Sequence, residues 1–192
     1  QERERERVQL AVHNYQNIIS IENLLVSWRE FLRGKRKRKD VAEFQLNLFE
    51  NIRELHDDLK NKTYCHSDYT AFKINDPKSR DIHKTSVRDR LLHHAIVRKI
   101  YPYFDARFIH HSYSSRKGKG THRALLAFKK MVNRVSKNNT KTVWILKCDI
   151  RKFFASIEHK ILKDILTKYI HDADTLNLLG HIVDSFHSSV VP

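Results

Sequence analysis

Cysteine is nearly absent: Cys65 and Cys148 are the only two in 192 residues. They stand far apart, so the chain carries neither a disulfide framework nor a zinc-finger spacing. A long apolar run is missing too, as is a signal-peptide pattern, which argues against a membrane partner. These absences fit a reducing, cytoplasmic location. No internal repeat is visible, and no Rossmann-type alternation of strand and helix. A leading Met is also lacking. The chain opens at Gln1 and closes at Pro192 without an obvious stop to the fold, so it reads as a segment of a longer protein.

Acids are scarce relative to bases. Asp and Glu total 22 against 37 Lys and Arg, a formal net charge of +15. A surface that basic attracts polyanions in a salt-dependent way, and nucleic acid is the first partner to consider. A ribosome-associated or merely soluble basic protein is the plainer alternative. Apolar residues make up 40%, enough for a core and too many for global disorder.

The pattern along the chain predicts an α+β fold. Residues 1–7 alternate in charge and read as a solvated helix start. Residues 8–32 carry apolar positions three and four apart, as helical pieces broken near Ser20. Residues 33–39 (RGKRKRK) are a basic stretch, either a solvated loop or a nucleic-acid contact. Residues 41–60 predict one amphipathic helix, with Val41, Phe44, Leu48, Phe49, Ile52, Leu55 and Leu59 on one face. Residues 70–74 and 80–84 read as strands of a hairpin about the Asp76-Pro77-Lys78-Ser79 turn. A helix starts at Ser86, with Asp89 three residues on as a variant capping box, and Pro102 helps to end it. Helices follow over 122–135, 158–169 and 175–186, Asp174 being a candidate cap of the last. Residues 142–146 (TVWIL) read as a central strand.

Asp149 falls at the carboxyl end of that strand, where ligands tend to bind in mixed folds. It is a metal ligand or, as Asp often is, a cap or turn residue. Lys147, Arg151 and Lys152 surround it with positive charge, which suits an acid working beside phosphates. Phe153 and Phe154 could divide between core and pocket, or both simply pack.

The stretch Cys148-Asp-Ile-Arg-Lys-Phe-Phe-Ala-Ser-Ile-Glu-His159 resembles motif A of bacterial reverse transcriptases, in the branch of group II introns and diversity-generating retroelements. Upstream, Arg80-Asp-Ile-His-Lys-Thr-Ser-Val-Arg-Asp-Arg90 resembles the first fingers motif of that family. Ser112-Tyr-Ser-Ser-Arg116, with Gly120, His122 and Ala124 after it, resembles the next. The three stand in family order and cover about residues 70–190. The wording Lys-Cys-Asp-Ile-Arg-Lys-Phe-Phe leans toward the retroelement enzymes. The resemblance implies a helical amino-terminal extension over 1–64, fingers over 65–140 and the start of a palm over 141–192.

It also implies roles. Asp149 matches the catalytic aspartate that binds Mg2+, and Ile150 the residue whose backbone carbonyl completes the metal shell. Phe154 matches the aromatic gate that presses on the sugar and disfavours a 2′-hydroxyl. Arg80 matches the fingers arginine on the incoming triphosphate, with Lys78 as a second nucleotide contact. Arg88, Arg90 and Arg116 match basic fingers positions near template or phosphate, and each could instead make a structural salt bridge. Lys117 and Lys119 lie in the flexible basic loop after Arg116. The implied partners are an RNA template, a DNA or RNA primer and deoxynucleoside triphosphates.

Nucleotidyl transfer spreads negative charge over phosphate oxygens, so catalysis is mostly positioning and electrostatics. Magnesium requires hard carboxylate oxygens. The chain departs from the family in lacking the Tyr-x-Asp-Asp pair and the Gly-rich Ser-Gln motif, and its hairpin turn is shorter and without Gly. One carboxylate cannot hold two metals, so these 192 residues alone are expected to be inactive. A catalytically dead, RNA-binding relative is the alternative.

Overall fold

The computed structural model describes residues 14–186. The alternating-charge start and the first part of the helical stretch from Val8 lie outside the described residues, as do residues 187–192. The element order is α1 (Tyr15–Ile19), α2 (Ile21–Phe31), α3 (Lys39–Leu46), α4 (Leu48–Asn61), β1 (Thr70–Asn75), β2 (Ser79–Lys84), α5 (Val87–Asp105), α6 (Thr121–Val135), a 3-10 turn (Phe153–Ser156), α7 (His159–Thr167) and α8 (Ala173–Asp184). The mixed α+β class expected from the pattern holds. The chain divides into two compact units, one of residues up to 102 together with those from 155, the other of residues 103–154.

The first unit holds the core. The break at Ser20 is real: its side chain accepts from the Asn23 N–H at 3.2 Å and caps α2. Leu24, Trp28 and Phe31 then repeat on the helical period and are buried. Trp28 lies 5.7 Å from Phe31 and 5.1 Å from Phe44, ring centre to centre. Each such side chain contributes roughly 1.5–3 kcal/mol on burial. Asn23 ties three segments together. Its amide donates to the Ile18 carbonyl at 2.8 Å and the Ala95 carbonyl at 3.2 Å, and its oxygen accepts from Arg98 at 2.9 Å.

The helix expected over 41–60 is two helices. Asn47, at φ −116° and ψ 40°, leaves the helical region and separates α3 from α4. Val41, Ile52, Leu55 and Leu59 are buried as expected, whereas Phe49 lies off the stripe, at 78% exposure. Lys62 closes α4 in the left-handed region at φ 59°.

The hairpin forms with antiparallel register Asn75↔Ser79 to Thr70↔Lys84, leaving Asp76, Pro77 and Lys78 in the turn. Helix α5 begins as expected after Ser86, whose hydroxyl accepts from the Asp89 N–H at 3.2 Å. It does not end at Pro102 but runs to Asp105. Arg116 explains the stop: its guanidinium donates to the Asp105 carbonyl at 2.8 Å and carboxylate at 2.6 Å, satisfying the helix end. The cap of α8 is Asp172 rather than Asp174. Asp172 accepts from the Thr175 N–H at 2.8 Å and, with its other oxygen, from the Tyr15 N–H at 3.2 Å. Asp174 sits in the first turn and pairs with Lys62.

The second unit contains the main departure from the sequence pattern. Residues 142–146 form no strand, and Trp144 is 92% exposed. A strand needs partners for its N–H and C=O groups. Among the described residues, β1 and β2 pair only with each other. Helix α6 is amphipathic, yet Leu125, Phe128 and Val135 on its apolar stripe are exposed.

Candidate nucleotide and nucleic-acid site

The hairpin presents Lys78 in its turn and Arg80 opposite Ile74, both exposed. Its base is fixed by Asp89, which is fully buried. That carboxylate accepts from the Tyr64 and Thr85 hydroxyls at 2.7 Å, from the Ser86 hydroxyl at 2.7 Å and from the Ser67 N–H at 3.1 Å. Burial pushes the Asp89 carboxyl up, but these donors outweigh it and hold it at about 2. The Tyr64 hydroxyl is pushed up in turn, by burial first and then by its bond to Asp89. Lys84, at the end of β2, pairs with Asp40 at 2.6 Å. The segments entering and leaving the hairpin are thus held by one ionised group, with the tip left in solvent.

Arg88, Arg90 and Arg116 each make a structural ion pair, the alternative that the sequence left open. Arg88 pairs with Asp58 and covers the Tyr64 ring at 5.0 Å. Arg90 pairs with Asp40 and donates to the Ser86 carbonyl at 3.2 Å. Burial raises the Asp40 carboxyl, while bonds from Lys84 and Arg90 bring it down to about 2. Arg116, whose side chain is only 9% exposed, holds the loop that follows α5. Lys119 donates to the His110 carbonyl and lies 5.2 Å from the Tyr113 ring centre, while Lys117 is exposed. In the basic stretch 33–39, Lys35 donates to the Phe31 carbonyl at 3.2 Å and covers that ring at 4.3 Å. Burial lowers its ammonium, helped by Arg38 and Arg90.

Asp149 is exposed, and its Oδ1 accepts from the Ile150 N–H at 3.0 Å. Ile150 is exposed as well. Lys152, at φ 49°, turns the chain into the 3-10 segment that carries Phe153 and Phe154. Their rings meet edge to face at 5.2 Å, and Phe154 is 79% exposed. Neither therefore enters a core, and Phe154 has the accessibility a sugar contact requires. Asp149, Ile150 and Phe154 belong to the second unit, Lys78 and Arg80 to the first. Among the described residues no three His, Cys, Asp or Glu side chains gather as a metal-binding group. The hard, accessible carboxylate of Asp149 fits one ligand of a magnesium ion.

Sequence reading missed two features. Asp89 was legible as a cap, but its partners Tyr64 and Ser67 are distant in sequence. The second was countable: residues 103–154 hold thirteen Lys and Arg against two Asp, so most of the +15 sits in the second unit.

Comparison with family models gives no match. Protein YkfC of Escherichia coli (strain K12) is 24% identical over 150 residues, covering 76% of this chain. The chain spans 38% of the length of that relative.

Proposed function

We propose that this chain is the amino-terminal part of a cytoplasmic RNA-directed DNA polymerase: an extension, the fingers and the beginning of the palm. The observation that carries the reading is the order of three motifs, at residues 80–90, 112–116 and 148–159. The exposure of both Asp149 and Phe154 supports it, as does a solvent-facing hairpin tip bearing Lys78 and Arg80. In this reading Asp149 and the Ile150 carbonyl hold magnesium, which offsets charge on the phosphate oxygens. Lys78 and Arg80 receive the triphosphate of a deoxynucleotide, and Phe154 faces its sugar. RNA template and primer run over the basic surface. One carboxylate does not position two metals, so residues 1–192 alone do not polymerise.

Primer extension tests this. The natural protein that carries this chain should extend a primer on an RNA template with magnesium, and Asp149→Asn should abolish extension. Activity retained by Asp149→Asn, or extension by residues 1–192 alone, defeats the reading. The charge of the second unit favours one rival, an RNA binder without catalysis. For that rival, the natural protein binds the template and extends nothing.

A further inference from the structure

The second unit contains a cavity of about 790 Å³ that lies largely outside the three motifs. One wall is a face of α6 on which Lys129, Lys130 and Arg134 stand among Leu126, Ala127 and Met131. The facing wall is the loop bearing His110, His111 and Tyr113. No carboxylate lines it, and the unit as a whole holds only Asp105 and Asp149 as acids. Asp105 is already bound by Arg116. The cations of this cavity therefore have no acidic partner in its walls.

One end is closed by Asn138, at φ 57°, between Lys137 at 49° and Asn139 at 68°. Three successive non-glycine residues lie in the left-handed region, which favours glycine and, after it, asparagine. Short bonds hold them there. The Asn138 N–H donates to the Asn133 carbonyl at 2.8 Å, and the Asn139 N–H to the Ser136 hydroxyl at 2.8 Å. The cavity end is thus a defined turn. The Tyr113 and His111 rings also meet: the His111 Nδ1 lies 3.2 Å from the Tyr113 hydroxyl, with Lys119 beside the Tyr113 ring.

Cations along one wall and flat rings along the other are the two elements by which proteins hold unpaired nucleic-acid strands. The phosphates meet the cations, and bases stack on the rings. We propose that this cavity binds a single-stranded nucleic acid, Lys129, Lys130 and Arg134 taking successive phosphates and Tyr113 and His111 receiving bases. That the strand is RNA rests on the polymerase reading above; the cavity does not.

The test measures binding of a fluorescent fifteen-nucleotide uridine RNA to the 192-residue chain across a salt series. The same measurement with the deoxy strand distinguishes the two sources. The variant Lys129→Ala/Lys130→Ala/Arg134→Ala removes three cations from a helix whose residues are not buried, and circular dichroism checks its fold. Lys60→Ala/Lys160→Ala/Lys168→Ala removes equal charge from exposed positions of the first unit. The helix variant should weaken binding by about tenfold and reduce the salt slope by about two, since each phosphate contact contributes about 0.7. The control should lose much less. Equal losses in both variants mean diffuse attraction and overturn the site, as does wild-type affinity in the folded helix variant. Tighter binding of the deoxy strand leaves the cavity standing and counts against RNA. Primer extension is not read in this assay, so failure of the polymerase reading is seen separately.

Discussion

Tyr64 donates its hydroxyl to Asp89 at 2.7 Å, joining the segment that leaves α4 to the first turn of α5, with the hairpin between them. Asp89 is the point on which the entry and exit of that hairpin converge. Asp89→Asn keeps the shape but removes the charge and one acceptor oxygen from a cluster in which three hydroxyls and the Ser67 N–H donate to the carboxylate. The loss should be about 2–3 kcal/mol, read as a lower unfolding midpoint in urea. A variant as stable as wild type would mean that the cluster is not the anchor.

The same residue sets an acid limit. Its carboxyl is depressed from 3.8 to about 2. The folded state therefore binds fewer protons than the unfolded one. The contribution is complete above the ordinary value, falls as the pH drops through about 2, and is worth ~2 kcal/mol. His93 adds a milder window. Burial lowers its imidazole, and His66, 3.2 Å away between ring nitrogens, lowers it further. Stability from His93 is complete above its ordinary 6.5 and declines as the pH falls below that value. Urea midpoints taken from pH 7 to pH 2 should show both declines, and His93→Asn should remove only the first.

Arg90 illustrates what sequence could and could not resolve. Its motif position pointed equally to phosphate or to a salt bridge, because the partner, Asp40, lies fifty residues away in sequence. The pair is part-exposed, so a double-mutant cycle with Asp40→Asn and Arg90→Met should give a coupling of about 0.5–1 kcal/mol. Zero coupling, together with weakened RNA binding in Arg90→Met, would return Arg90 to the nucleic-acid surface.

Local chemistry was the legible part of this fold. The Ser20 break, the hairpin turn at Asp76–Lys78 and the start of α5 were written in neighbouring residues. Positions that depend on distant partners were not. Asn47 splits a helix that periodicity alone would continue, and α5 runs past Pro102 to an end that Arg116 caps at Asp105. Residues 142–146 show the limit most clearly: composition favours a strand, but a strand exists only where another backbone pairs with it.

That exposure can be measured. Of the two tryptophans, Trp28 is buried beside Phe31 and Phe44, while Trp144 stands in solvent. In Trp28→Phe, the remaining emission from Trp144 should be red-shifted and readily quenched by iodide. In Trp144→Phe, the emission of Trp28 should be blue-shifted and protected. Protected emission from Trp144 in the 192-residue chain would show that residues 142–146 are packed after all.

Phe154 offers the sharpest separation of stability from function. Its ring meets that of Phe153 edge to face at 5.2 Å and is largely exposed. Phe154→Ala in the 192-residue chain should therefore change the unfolding free energy by no more than about 0.5 kcal/mol. In the natural protein, the same substitution should relax discrimination against ribonucleotides, measured as the ratio of kcat/KM for deoxy and ribo substrates. A smaller side chain no longer meets the 2′-hydroxyl, so the ribonucleotide gains and the deoxynucleotide changes little. If the ratio stays fixed while extension remains normal, Phe154 is not the gate. If stability falls by several kcal/mol, its ring packs in a core and cannot be facing a sugar.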